Sequence, residues 1–373
     1  MRVVVAMSGG VDSAVAAARC VADGHDVIGL SLRLARDGTG GCCSLDDFAD
    51  ARAVADRLGI PHYVFDFRDA FERAVVRPFV AEYLAGRTPN PCALCNQHVK
   101  FDLLWRRARE LGASRLATGH YARIATDEVT GRLALRTAVD AAKDQTYFLF
   151  ALDHVALGRT LFPVGELTKR EVRARARALG LPVANKPESM EVCFVPDGDA
   201  AGFVERHAGP AALRPGRVVD DDGRLLGIHD GVHRFTVGQR RGLGLGGGPR
   251  RYVRAVDGAS GTVTVGGAGS LVAAGLVTRG TVWTAGAPPA PGARLSVRIR
   301  HRHRPVEARL VSVAGDAAHA VEIRFVEPGP LVTPGQAAVF YRGELVVGGG
   351  WIAHELAADG HLACDVRAGA EAG

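Results

Sequence analysis

Three short stretches of the chain hold the residue types that do chemistry. The first is Ser8-Gly9-Gly10-Val11-Asp12-Ser13, set between the apolar run Val3–Ala6 and an alanine-rich helical pattern over Asp12–Ala22. Paired glycines let a backbone turn tightly and bring its N–H groups against an anion. A helix N-terminus adds a favourable dipole, and Ser8 and Ser13 add hydroxyl donors. A phosphate chain suits such a loop. The lysine of a Walker loop is missing, so transfer of a γ-phosphoryl group is not expected. The second stretch is Thr88-Pro89-Asn90-Pro91-Cys92-Ala93-Leu94-Cys95-Asn96, followed by Lys100-Phe101. The third is Lys186-Pro187-Glu188-Ser189-Met190-Glu191-Val192-Cys193-Phe194. A thiol can carry a terminal sulfur as a persulfide and pass it on by disulfide exchange.

The elements that must position these residues follow from periodicity. Up to about residue 200, short apolar runs alternate with helical patterns, which predicts a parallel α/β sheet. Strands are expected at Val3–Ala6, Asp26–Leu32 and His62–Asp66, and helices at Asp12–Ala22, Asp46–Leu58, Asp69–Ala85 and Gln97–Leu111. Arg87–Asn96 reads as a loop, and Ala122–Thr126 with Arg132–Thr137 as a hairpin. Thr168 with Glu171 three residues on predicts a capping box for a helix over Thr168–Leu179. After about Arg206 helical periodicity gives way to short β-like segments, among them Arg217–Val219, Gly261–Val265, Ala293–Arg304, Ala320–Phe325 and Ala337–Tyr341. The expected organisation is a catalytic domain over 1–205, small antiparallel β domains over 206–275 and 276–357, and a frayed tail over 358–373.

Composition narrows the class. The 373 residues are 47% hydrophobic and 23% charged, which excludes a disordered or collagen-like chain. No run reaches the roughly 18 apolar residues of a membrane span, and the first residues show no signal-peptide pattern. A cytoplasmic protein without membrane association is expected. Seven cysteines, an odd number, argue against a disulfide framework. Cys20 falls in a helical pattern and is read as core, Cys364 as a tail residue, and Cys42-Cys43 as bystanders. Cys92-x-x-Cys95 lacks the second pair that a zinc ribbon needs. A net charge of +6 permits a polyanionic partner. Only four of the 46 basic side chains are lysine: Lys100, Lys143, Lys169 and Lys186. A chain that avoids lysine and keeps it at four places draws attention to those places. Arg298-Ile299-Arg300-His301-Arg302-His303-Arg304, taken as strand, would set four arginines on one face.

The Ser-Gly-Gly-x-Asp-Ser loop resembles the pyrophosphate loop of N-type ATP pyrophosphatases. Together the cysteine stretches resemble the tRNA-specific 2-thiouridylase family. Matching pieces are Ala117-Thr118-Gly119-His120-Tyr121-Ala122, Lys143-Asp144-Gln145-Thr146-Tyr147-Phe148-Leu149 and Thr333–Tyr341. The resemblance runs from residue 3 to about 352 and sets all four lysines within or beside family motifs. It implies an adenine nucleotide α-hydrolase-like ATP-pyrophosphatase domain followed by β domains. It also implies an ATP- and Mg2+-dependent sulfurtransferase that adenylates the 2-carbonyl of a tRNA wobble uridine and replaces its oxygen with sulfur.

By the same resemblance, Ala6, Met7, Ser8, Gly9, Gly10, Val11, Asp12, Ser13, Leu32 and Gly119 bind ATP. Cys95 acts as nucleophile and Cys193 as persulfide carrier, with a disulfide between them in each turnover. Asn90, Pro91 and Cys92 approach the target base, and Lys143, Asp144, Gln145, Arg300 and His301 contact tRNA. Many family members carry Asp, with a proton-transfer role, where this chain has Cys92. A rival arrangement places an iron–sulfur cluster on Cys92, Cys95 and Cys193. The implied partners are tRNA and a sulfur donor such as a cysteine desulfurase or a sulfur relay protein. Two other functions are weighed against this one: an adenylating pyrophosphatase acting on a small metabolite, which would turn over ATP without RNA, and a non-catalytic tRNA-binding protein.

Overall fold

In the computed structural model, which describes residues 1–34, 44–188, 192–195, 198–246, 249–314 and 320–357, the chain begins with a parallel sheet. Its strands are β1 (Arg2–Ala6), β2 (Asp26–Arg33), β3 (His62–Asp66) and β4 (Arg115–Thr118); after the hairpin β5 (Ala122–Thr126) and β6 (Leu133–Thr137) comes β7 (Thr160–Leu161). The spatial order is β3-β2-β1-β4-β7, all parallel. Side chains of a strand alternate between faces. Val4 enters one core with Leu30 and Leu116, while Val3 and Val5 enter another with Ala14 and Ala17 of the Val11–Ala22 helix. Burial on both faces explains why β1 is apolar at successive positions.

The helix over Leu45–Leu58 starts in a Ser44–Asp47 capping box and ends at Gly59, whose φ of 68° is left-handed. The Thr168–Glu171 box holds as expected. The segment expected as a loop over Arg87–Asn96 becomes helical at Pro91. Asn90 Oδ1 accepts from Ala93 N at 3.2 Å, and Pro91 takes the first helical position, where its missing N–H costs nothing. Helix continues through a wider π-type stretch, Cys95–Leu103, into Leu104–Glu110. Cys92 and Cys95 therefore stand three residues apart on one helical face.

A four-stranded sheet follows, with β8 (Gly216–Val219), β9 (Leu225–His229), β10 (Tyr252–Asp257) and β11 (Thr262–Gly266) in the order β10-β11-β8-β9. It departs from the expected antiparallel pattern, since β11 and β8 pair in parallel. The last six strands are β12 (Val272–Trp283), β13 (Arg294–Arg298), β14 (Val306–Ala314), β15 (Ala320–Pro330), β16 (Ala337–Arg342) and β17 (Leu345–Leu356). They run β12-β15-β14-β13-β16-β17, and β12 pairs back with β17 to close a barrel around Leu276, Val297, Ile323 and Phe340. The hairpin β5–β6 extends the barrel sheet, with Val346 opposite Leu135.

The expected strand Ala293–Arg304 stops at Arg298, so the four arginines do not share a face. His303 N donates to Arg300 O at 3.2 Å, which turns the chain. Arg298 is drawn to Asp144 at 3.1 Å and lies over the Tyr341 ring, while Arg300 donates to Thr333 Oγ1 at 2.9 Å. Cys42, Cys43, Ser189, Met190, Glu191, Cys364 and the tail expected over 358–373 lie outside the described residues.

Candidate active site

Parallel pairing sets Ala6 beside Thr118, so the loop after β1 and Gly119 after β4 share one crevice at the carboxyl ends of adjacent strands. The loop is held by its own groups. Ser8 N donates to Ser13 Oγ at 3.2 Å, and Ser13 Oγ donates to Gly10 O at 3.0 Å. Gly9 has φ +70°, and a Cβ there would stand 2.3 Å from Asp47 O. A Cβ on Gly119 would stand 2.6 Å from Ser13 N. Both glycines are therefore demanded by close approach of backbone. No side chain caps the helix that starts at Val11, so its first N–H groups remain open to an anion. The cradle and the open N–H groups fit a triphosphate, and the Asp12 carboxylate beside them fits a magnesium ion.

The crevice opens into a cavity of about 830 Å3. Of the residues singled out in the sequence, Ala6, Met7, Ser8, Gly10, Val11, Asp12, Ser13, Leu32 and Gly119 line it, as do Pro91, Cys92, Cys95, Lys143, Gln145, Cys193, Arg300 and His301. Gly9, Asn90 and Asp144 do not. Gly9 packs against the next helix and Asn90 caps the cysteine helix. Asp144 is 4% exposed and accepts from Ala138 N, Thr146 Oγ1 and Arg298. It braces the segment that presents Lys143 and Gln145.

Cys92, Cys95 and Cys193 are present as thiols in this state; Cys95 is buried, Cys193 half-buried and Cys92 exposed. Among the described residues no three His, Cys, Asp or Glu are grouped to hold a metal ion. Cys92, Cys95 and Cys193 all line the one cavity. Cys20 lies in the core behind the sheet, where burial pushes its thiol up to about 12. The barrel braces the cysteine turn, since Gln336 Nε2 donates to Thr88 O at 3.0 Å and to Pro89 O at 3.2 Å. The His301 and Phe148 rings, which also line the cavity, lie with centroids 4.4 Å apart and planes tilted by 39°.

All four lysines of the chain line this cavity. Lys186 Nζ reaches Asp47 at 2.7 Å and also Asp50, tying the start of the Cys193 segment to the helix beside Gly9. Lys169 Nζ lies 2.7 and 2.8 Å from the two Asp12 oxygens, and Tyr121 donates to Asp12 Oδ1 at 2.8 Å. Burial, and then the Asp12 charge, push the Tyr121 hydroxyl up. Glu188 bridges Lys169 and Lys143 at 2.8 and 2.6 Å. Burial opposes its charge, but the hydrogen bonds from Lys143 and Lys169 outweigh that and hold it at about 2. Burial, then the charge of Lys100, push the His120 imidazole well below its ordinary range. Lys169, Lys186, Glu188, Tyr121, His120 and Phe148 were not among the expected site residues. For the lysines, the available signals were their scarcity and their place within or beside the family motifs.

Fold and site together define a class: an α/β nucleotide-binding domain with a glycine–serine phosphate loop, whose cavity also holds separate thiols. The family model described as tRNA methyl transferase HUP domain matches residues 1–197. The tRNA methyl transferase PRC-barrel domain matches residues 201–267, and the aminomethyltransferase beta-barrel domain matches residues 273–352. The chain is 51% identical over 367 residues to the tRNA-specific 2-thiouridylase MnmA of Solibacter usitatus, covering 94% of this chain and 98% of that one. It is 50% identical over 364 residues to the enzyme of the same name from Geotalea uraniireducens, covering 95% and 96%. A solved structure of the U34-tRNA thiolase NcsA from Methanococcus maripaludis is 19% identical with a TM-score of 0.34, covering 57% of this chain and 67% of that one. The chain belongs to the tRNA-specific 2-thiouridylase family.

Proposed function

We propose that the chain is a tRNA sulfurtransferase that makes 2-thiouridine at the wobble position, using ATP. The observation that carries the proposal is the convergence of the phosphate loop, Cys95 and Cys193 on one cavity. The 2-carbonyl oxygen of the uridine attacks the α-phosphorus of ATP, forming a C2–O–AMP linkage and releasing pyrophosphate. The terminal sulfur of a persulfide on Cys193 attacks C2, and AMP leaves with the oxygen. Cys95 thiolate then attacks the Cys193 sulfur, the thiocarbonyl departs, and a Cys95–Cys193 disulfide remains for an external thiol reductant to reopen. Bound magnesium would neutralise charge on the departing pyrophosphate; Asp12 is the residue to hold it. The loop amides and Ser8 orient the phosphates, while Lys143, Gln145, Arg300 and His301 face the RNA.

Residues 1–205 form the catalytic domain in this reading, with 206–275 and 276–357 gripping the tRNA. A cysteine desulfurase or a sulfur relay protein supplies the persulfide sulfur, and the reaction takes place in the cytoplasm. No helix among the described residues is long and apolar enough to cross a membrane. The test supplies substrate tRNA, magnesium–ATP and a persulfide donor, then measures nucleotide products and 2-thiouridine by mass spectrometry. AMP and pyrophosphate should appear in step with 2-thiouridine, and only with RNA present. ADP as the product, or equal turnover without RNA, overturns the proposal.

A further inference from the structure

One row of charges crosses the cavity from Lys143 to the phosphate loop. Lys143 Nζ lies 2.6 Å from Glu188 Oε2, Glu188 Oε1 lies 2.8 Å from Lys169 Nζ, and Lys169 Nζ lies 2.7 and 2.8 Å from the two Asp12 oxygens. The members come from four separate parts of the chain: the 143–145 segment, the Cys193 segment, the start of the Lys169–Ala178 helix, and the helix after the phosphate loop. Two ammonium groups alternate with two carboxylates, so the row is neutral as a whole. Each inner member is shared: Glu188 divides its charge between two lysines, and Lys169 divides its own between two carboxylates.

Sharing makes the two ends interdependent. Asp12 is the carboxylate placed to hold a metal ion at the loop, yet in this state Lys169 neutralises both of its oxygens, with its side chain only 12% exposed. A divalent cation must displace that ammonium. Lys143 is half-exposed and lines the cavity, and in the proposed function it meets RNA. A backbone phosphate that attracts Lys143 removes one of the two cations on Glu188. The freed carboxylate then draws Lys169 more strongly and weakens its hold on Asp12. Tyr121, which donates to Asp12 Oδ1 at 2.8 Å, keeps the carboxylate in place after the ammonium leaves.

We infer that Glu188 and Lys169 are positioning residues through which RNA contact at Lys143 frees Asp12 for the metal-bound nucleotide. The inference rests on the proposed use of tRNA and ATP. It requires RNA and nucleotide to bind with positive coupling, and by thermodynamic reciprocity each must raise the affinity of the other by the same factor. It also supplies a reason for the RNA-dependent ATP turnover expected of the proposed function, because the metal carboxylate stays masked until RNA arrives.

The experiment measures equilibrium binding of α,β-methylene ATP, which cannot be cleaved between its α and β phosphates, in the presence of magnesium. Titrations are run with and without saturating unmodified substrate tRNA, on the full-length protein and two variants. For the unaltered protein, tRNA should lower the nucleotide Kd by about fivefold or more, within the usual range of about 5–150-fold for coupled sites. Glu188→Gln should bind nucleotide more weakly without tRNA and lose the tRNA effect to within about twofold. Lys143→Ala should do the opposite without tRNA. Its affinity should rise towards the tRNA-bound value, because Glu188 is already free to pull on Lys169. A purely structural role for the row predicts no gain of affinity in any variant. Independent binding in the unaltered protein, or loss of affinity in Lys143→Ala, overturns the relay. Failure of the unaltered protein to bind tRNA or nucleotide at all would instead overturn the proposed function.

Discussion

The arginines of residues 298–304 should divide into one that holds the fold and others that meet RNA. Arg298 is committed to Asp144, whose side chain is 2% exposed, at 3.1 Å. Replacing it by Met leaves that carboxylate buried without its cation. Breaking a buried pair in this way costs roughly 3–5 kcal/mol, which corresponds to a melting temperature lower by roughly 6–20 °C for a unit of this size. Arg302 and Arg304 are exposed and make no ion pair among the described residues, and Arg302 lines the cavity. Changing both to Gln should alter stability by no more than about 0.5 kcal/mol. Each cation withdrawn from a phosphate lowers the slope of log K against log salt by about 0.7–0.9, so the double change should flatten it by about 1.4–1.8. Anisotropy of labelled substrate tRNA, titrated at several salt concentrations, measures the slope, and a thermal melt measures stability. If Arg298→Met flattens the salt slope as much as removal of one phosphate-bound cation does, and melts normally, the internal role assigned to Arg298 is refuted.

Three further outcomes follow from the site. Cys193→Ser should abolish 2-thiouridine formation while α,β-methylene ATP and tRNA still bind, whereas Cys20→Ser, behind the sheet, should keep thiolation; wild-type thiouridine from Cys193→Ser would end the persulfide route. Gly119→Ala places a Cβ 2.6 Å from Ser13 N, an overpacking of about 1–3 kcal/mol, and should weaken nucleotide binding about tenfold or more by titration. His120 is held below its ordinary 6.5, so folding is favoured above that pH and the contribution is lost as pH falls below it, where the unfolded chain takes up a proton that the folded chain refuses. Melting curves from pH 7.5 to 5 should therefore show a steeper decline for the native chain than for His120→Gln, and equal slopes would refute it.

Where a property depends on neighbours in the chain, the sequence was legible. The apolar run Val3–Ala6, the Ser-Gly-Gly turn and the Thr168–Glu171 box each draw on residues a few positions apart, and each appears in the structure as expected. The misreadings have local causes of another kind. Pro91 looked like loop chemistry, but Pro is also favoured at a first helical position once Asn90 supplies the cap. The alternation of Arg298 to Arg304 matched a strand, yet tertiary partners on Asp144 and Thr333 claimed two of its arginines and the chain turned. Alternation records which residues can share a face, not whether a partner strand extends far enough to keep them there.

The site was legible to the same limit. Cys95 and Cys193 stood out by type, but that they line one cavity depends on strands and helices folding over nearly a hundred intervening residues. Lys169 lies 157 positions from Asp12, and no spacing rule links them. Scarcity did point to it, for a reason that the structure makes physical. Arginine is always charged and spreads its charge over a planar fork, whereas lysine concentrates it in a compact ammonium. Glu188 needs two small cations on its two oxygens, and Lys169 must reach both oxygens of Asp12 while touching Glu188. A guanidinium at that point would fill the space beside the phosphate loop. A chain that uses arginine almost everywhere else thus keeps lysine where a compact, displaceable cation is required.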